Sequence, residues 1–290
     1  MAPICSASVV DLSAPKNLAT NIGVLQGFSI GFAFLFGAPI GGIIASRSSP
    51  VKAFKLAAVV SGLNFLWNAF FIKESFPESA RSTSRQTALQ RLRENANPLQ
   101  NFSFLTDISR RRLTLTLFLV WVALNGFQVT CFNYAKHAFD WEVSKTAIYQ
   151  AMSGVCLATV PKLVVPVLGA ESTVRWGLRC FALSLLVMGM TKNSGVFGAS
   201  VVMVGVGAAM VIPALTSLIS ETSSSDKKGR IFGAVESSIT LNRAVVYPIV
   251  GRLFAKGMED DKGFFGLIGG TSSPFYLGVV ALALAAAVFR

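Results

Sequence analysis

The chain has 290 residues, 52% hydrophobic and only 14% charged, with a mean hydropathy of +0.58. Soluble domains carry about 25% charged residues and could not hide this much apolar surface, while a disordered chain needs the opposite composition. The formal charge of +12 therefore reads as Lys and Arg in loops on one side of a bilayer, not as a nucleic-acid surface, and the chain is expected to be an all-α integral membrane protein.

A crossing takes about 20 mostly apolar residues, and eight such stretches occur in order. They cover residues 22–45, 53–72, 113–132 and 147–168, then a short fifth at 176–190, and finally 196–219, 231–255 and 272–289. An even number of crossings puts both termini on one side. Residues 1–10 have neither a basic n-region nor an apolar run long enough for a signal peptide. The longest polar stretch, 73–112, holds Lys73, Arg81, Arg85, Arg91, Arg93, Arg110, Arg111 and Arg112. The positive-inside rule then places it and both termini in the cytosol, although Arg47, Lys52 and Lys55 cluster on the other side. The sequon at Asn101-Phe102-Ser103 is hidden from the lumen in this topology.

In the first span Gly23, Gly27 and Gly31 form one small-residue track, and Ala33, Gly37, Gly41 and Ala45 another. A spacing of four lets a neighbouring backbone approach closely, for packing or for gating. Gly27-Phe28-Ser29-Ile30-Gly31 also spells the hydrolase nucleophile elbow, which needs a strand-turn-helix and a histidine base. Here it lies inside an apolar helix, and the only histidine, His137, is expected in a loop on the far face. Cys5, Cys131, Cys156 and Cys180 are too scattered for a disulfide framework or a metal site. No nucleophile–base pair, nucleotide loop or cofactor motif is present, so no enzyme is expected.

The seventh span carries most of the chemistry. Glu236, Thr240, Arg243 and Tyr247 are spaced 4, 3 and 4 and share one helical face. A charge at mid-bilayer costs roughly 2.5–3.5 kcal/mol, so such residues face a bundle interior or a wet cavity. Glu236 could load and release protons if burial raised its pKa; Arg243 could hold that carboxylate ionised or grip an anionic solute bidentately. A static ion-pair network locking the helices is the plainer alternative. Lys162, between Pro161 and Pro166, either lines a pathway or snorkels to water. Asn125 and Gln128 share a face with Phe132 and suit an organic solute or interhelical hydrogen bonds, and Asn64 with Asn68 reads as helix glue. Trp67, Trp121 and Trp176 read as packing or interfacial residues, and Arg252 as an anchor.

Sliding the chain by 210 residues puts Asp11 on Glu221, Gly23 on Gly233, Gly41 on Gly251 and Ala45 on Ala255, with Pro39 one residue from Pro248. The implied period is six helices. Residues 112–290 then form a complete six-helix half, 76–111 the joint, and 1–75 the last two helices of an earlier half whose first four are absent.

Two six-helix halves joined by a basic loop resemble the major facilitator superfamily of secondary transporters. Gly27 and Gly31 followed by Gly37-Ala38-Pro39-Ile40-Gly41-Gly42 resemble its fifth-helix antiporter motif, with the proline at 39 where the family has it at 38. Asp11, the 71–78 segment, Asn97-Pro98-Leu99 and Lys228-Gly229-Arg230-Ile231-Phe232-Gly233-Ala234 are similar to the family's fourth-helix end, sixth-helix end, central loop and eleventh helix. Residues 169–175 are a degenerate copy of its gating motif. The branch that fits is the tetracycline-resistance-like drug/proton antiporters. The resemblance implies proton-coupled antiport of a small organic solute by alternating access, with Glu236 and Arg243 as coupling residues. The competing expectation is a truncated, transport-incompetent protein or an incomplete gene model.

Overall fold

A computed structural model describes residues 21, 25, 33–71, 108–221, 228–259 and 270–289 of the chain. The described elements are helical: α1 (Ala38–Arg47), α2 (Pro50–Phe71), α3 (Ile108–Phe139), α4 (Val143–Leu168), α5 (Ala170–Met190), α6 (Ser194–Glu221), α7 (Lys228–Glu259) and α8 (Ser273–Phe289). Six of them (α2 to α6, and α8 with its entry turn) are long and apolar enough to cross a membrane. The seventh expected span, α7, has the length, but Glu236, Arg243, Arg252 and its terminal basic residues dilute its hydropathy. Of the first expected span, 22–45, residues 25 and 33–45 fall within the described residues.

Proline shapes the start of α1. Pro39 has no N–H to donate to the carbonyl four residues back, and its ring crowds that carbonyl. The chain widens there into a π turn, Ala33–Gly37, before α-helix resumes. α2 opens on Pro50, where a missing N–H costs nothing, and buries none of its residues.

Several boundaries differ from the hydropathy reading. A turn was expected over 169–175, yet only Gly169 breaks the helix, at φ +73°, and α5 begins at Ala170. The polar Glu171-Ser172-Thr173 run looks like a loop by hydropathy but suits a helix's first turn, where an acid meets the positive end of the helix dipole. Thr173 closes this turn, its N–H and Oγ1 both donating to the Gly169 carbonyl at 3.1 and 2.6 Å. The fifth span thereby reaches 21 residues. α3 likewise continues past residue 132 to Phe139, so His137 is an exposed residue of its last turn, not of a loop. Asp140 ends that helix in the left-handed region at φ 51°, a role Asp and Asn tolerate better than bulkier residues. The Lys136 ammonium, hydrogen-bonded to Asp140, holds its carboxyl below the usual range.

Helices α3 to α8 form one bundle. α6 is the most enclosed, packed on α5, α4 and α3; α8 sits on α3 and α5; α7 packs mainly on α3. α1 docks on α4, and α2 follows α1. Lipid is as apolar as leucine, so close backbone approach must hold such helices together. At the α5–α6 seam a Cβ on Gly207 would lie 2.7 Å from the Phe181 Cβ and 2.8 Å from its Cα and N, and one on Gly177 would lie 2.6 Å from Val211. Gly205 is equally tight against Ser153 of α4, whose Oγ donates to the Val201 carbonyl at 2.8 Å. Phe181, Phe197, Phe275, Met188 and Leu215 fill the centre, all fully buried.

Candidate functional site

The face of α7 that meets α3 carries Val235, Ile239, Asn242, Val246 and Val250, spaced 4, 3, 4 and 4 and all buried. Asn242 is the polar member of this stripe. Its Nδ2 donates to the Phe118 carbonyl at 3.0 Å, and its Oδ1 accepts from Asn125 Nδ2 at 2.9 Å. Both amides are 0% exposed. One turn before Asn125, Trp121 is buried, and the Arg243 guanidinium lies over its ring at 5.4 Å. Asn125 Oδ1 and Trp121 Nε1 make no hydrogen bond to the described residues.

The charged face expected on this helix is therefore lateral to the buried one. Successive helical residues are turned by about 100°, so a stripe one residue out of register with Asn242 faces the open flank of α7. Glu236 is half-buried, while Thr240, Arg243 and Tyr247 are exposed. No ion pair joins Glu236 to Arg243 among the described residues; the arginine takes an aromatic face in its place. The Thr240 hydroxyl donates to the Glu236 carbonyl at 3.0 Å within its own helix, a local bond typical of threonine in helices.

The other sequence candidates divide. Asn125 joins the α3–α7 seam, and Gln128 is half-buried on the same helix. Lys162 is exposed on α4, a helix that packs on α6 and α1, away from the seam. Gly27 and Gly31 lie outside the described residues. In α1 a Cβ on Gly37 or Gly41 would meet nothing within 4 Å among the described residues. Pro39 is half-buried, and Gly42 is the glycine that faces α4, 3.5 Å from Val143 and 3.7 Å from Ala147. The reading of Asn64 and Asn68 as interhelical glue does not hold: Asn68 Nδ2 donates back to Asn64 of its own helix at 2.6 Å. Among the described residues no other helix offers this amide a partner, so it bonds within its own helix.

Two buried amides were passed over in the sequence. Asn242 stands directly before Arg243, and the charged stripe drew the reading away from it; an amide inside an apolar helix is itself the signal. Gln150 of α4 is 1% exposed and hydrogen-bonds Cys131 of α3. No cluster of His, Cys, Asp or Glu able to hold a metal occurs among the described residues.

Comparison with known proteins places this bundle. The profile described as "Major Facilitator Superfamily" matches residues 1–247. Major facilitator superfamily domain-containing protein 10 of Bos taurus is 24% identical over 260 residues, 83% of this chain and 55% of that protein. Tetracycline resistance protein, class C, of Escherichia coli is 20% identical over 273 residues, 92% of this chain and 66% of its own length. The crystal structure of the human organic anion transporter MFSD10 (TETRAN) superposes with a TM-score of 0.75 at 20% identity, covering 100% of this chain and 67% of that one. The chain thus spans about half the length of the first of these relatives. With a family profile matched along most of its length and a helical bundle of the same fold, this multi-pass membrane protein belongs to the Major Facilitator Superfamily.

Proposed function

We propose that this protein serves secondary transport of a small organic solute by alternating access, with proton antiport as the coupled step. The observation that carries the reading is the α7 stripe Glu236–Thr240–Arg243–Tyr247, which keeps two charges on an accessible face of a membrane helix. Charges in that setting are expensive and mark solute or proton pathways.

The chemistry follows from how Arg243 is held. The guanidinium lies over the Trp121 ring, a cation–π contact that still leaves N–H groups for a carboxylate or sulfonate. The Asn125–Asn242 bond fixes the register of α3 against α7 and so keeps Trp121 beneath the arginine. Glu236 stands two turns away, about 10 Å along the axis. In an antiport cycle the site holds the proton and the solute in turn, so Glu236 would take up its proton as the solute leaves and give it up as the next one loads. Gln128 and Thr240 would contact the solute's neutral part, and Lys162 would serve a wall nearer α1. Similarity to the human organic anion transporter MFSD10 supports the substrate class, and similarity to the tetracycline resistance protein supports a drug-antiporter branch. In this reading residues 1–75 belong to an N-terminal half, 76–111 to a cytosolic loop and 112–290 to the C-terminal half, with both termini cytosolic.

The test is uptake of a fluorescent organic anion, fluorescein, into proteoliposomes holding the purified full chain under an imposed pH gradient. Arg243→Gln should abolish uptake, and Glu236→Gln should leave exchange that no longer responds to the gradient. Coupled uptake that survives Glu236→Gln removes that residue's role. A folded protein inert towards every anion tried would favour the transport-incompetent alternative.

A further inference from the structure

The outward face of α5 carries a feature that transport chemistry leaves unused. Its inward residues, among them Val174, Leu178, Phe181 and Leu185, are buried in the bundle. The opposite face presents Arg175, Trp176 and Arg179 near the α4–α5 turn, then exposed apolar residues, Leu183 and Met190, towards the far end. Such a gradient along one lipid-facing helix, cationic and aromatic then purely apolar, matches a bilayer leaflet from headgroup to acyl chain.

Arg179 poses the sharper question. Its Cα lies about 13 Å along the axis from the start of α5, roughly two and a half turns in. Helical side chains lean towards the N-terminus, and the Arg179 guanidinium lies over the Trp176 ring at 5.1 Å, pointing back towards the turn. No carboxylate pairs with it among the described residues. Arg175 pairs with Glu171 at 3.5 Å, but both side chains are mostly exposed, 60% and 70%, and an ion pair in that setting is weak. One acid against two arginines leaves a net positive charge. It sits beside the free N–H groups of the first turn of a 21-residue helix, which also favour an anion.

We propose that Arg175 and Arg179 bind the phosphate of an anionic phospholipid, with Trp176 packed along its upper acyl chain. Lipid is the occupant because the patch is continuous with the apolar face below it and its charge complements a headgroup phosphate. The proposal rests on membrane insertion alone and stands or falls separately from solute transport.

Brominated lipids provide the probe. Trp67 and Trp176 are the lipid-accessible tryptophans, at 61% and 56% exposure, whereas Trp121 and Trp141 are buried. In full-length Trp67→Phe protein, brominated phosphatidylglycerol should quench Trp176 at a lower mole fraction than brominated phosphatidylcholine. The preference should fall about fivefold for each arginine removed. Arg175→Gln/Arg179→Gln should therefore quench equally with both lipids, and Arg175→Lys/Arg179→Lys should recover part of the preference. Lys52→Gln/Lys55→Gln, which removes the same charge elsewhere, should keep it in full. Equal quenching by the two lipids in Trp67→Phe protein, or a preference that survives the double glutamine variant, overturns the proposal. A preference lost equally in the lysine control shows attraction by bulk charge and overturns it as well.

Discussion

The Asn125–Asn242 pair can be tested by a double-mutant cycle whose asymmetry the geometry dictates. Leucine shares asparagine's branched heavy-atom shape and is somewhat larger, so Asn→Leu removes hydrogen bonds without opening a cavity. Asn125→Leu deletes one bond and leaves Asn242 Oδ1 without its donor, while Asn242 Nδ2 keeps the Phe118 carbonyl. Asn242→Leu deletes both bonds and leaves the buried Asn125 amide with no partner. An interhelical hydrogen bond in a membrane protein is worth roughly 0.6 kcal/mol on average and at most about 1.7, and an orphaned buried group costs about 1–3 kcal/mol more. Asn125→Leu orphans Asn242 Oδ1 but also removes an Asn125 Oδ1 that has no partner among the described residues, so it should cost about 1 kcal/mol. Asn242→Leu loses two bonds and orphans the Asn125 amide, and should cost about 2–4 kcal/mol. The double variant buries no orphan amide, since Phe118 sits inside a continuous helix and its carbonyl retains its backbone bond. Its cost should be below that of Asn242→Leu alone, with a coupling of about 1 kcal/mol or more. Reversible SDS unfolding in mixed micelles, followed by circular dichroism, measures all four corners. Additive single costs, or an Asn125→Leu penalty larger than that of Asn242→Leu, would refute the reasoning.

Four further outcomes follow from the packing and the turns. Gly207→Ala should lower stability by about 1–3 kcal/mol, because the new Cβ meets the Phe181 backbone, which cannot rotate away; a thermal midpoint unchanged in detergent would contradict this seam. Gly41→Ala should be silent in the same assay, since no described residue lies within 4 Å of its Cβ position. Gly42→Leu should instead loosen α1 from α4, seen as faster proteolysis near Arg47. At Asp140 the folded-state pKa is depressed by the Lys136 hydrogen bond and charge, so the stabilisation is complete above the ordinary aspartate value of 3.8 and lost as pH falls through the depressed one. The thermal midpoint should drop across that acidic window in the native protein more than in Asp140→Asn, which keeps the left-handed turn but not the charge; parallel profiles would refute the assignment.

Hydropathy by itself determined that this chain lives in a bilayer and where most of its spans lie, because a crossing helix must be apolar along its whole length whatever its neighbours do. It also determined that Glu236, Thr240, Arg243 and Tyr247 share a face, since helical spacing is local geometry. It misjudged the ends, at Gly169 and at Phe139, because a polar first or last turn and a loop have the same composition. Which face of α7 turns inward was decided by tertiary packing. A stripe one residue away from Arg243, led by Asn242, meets α3 because only there can an amide find both the Asn125 amide and the Phe118 carbonyl, and the charged stripe is carried to the flank as a consequence. The stacking of Arg243 on Trp121 joins residues more than a hundred positions apart, and no local pattern encodes it.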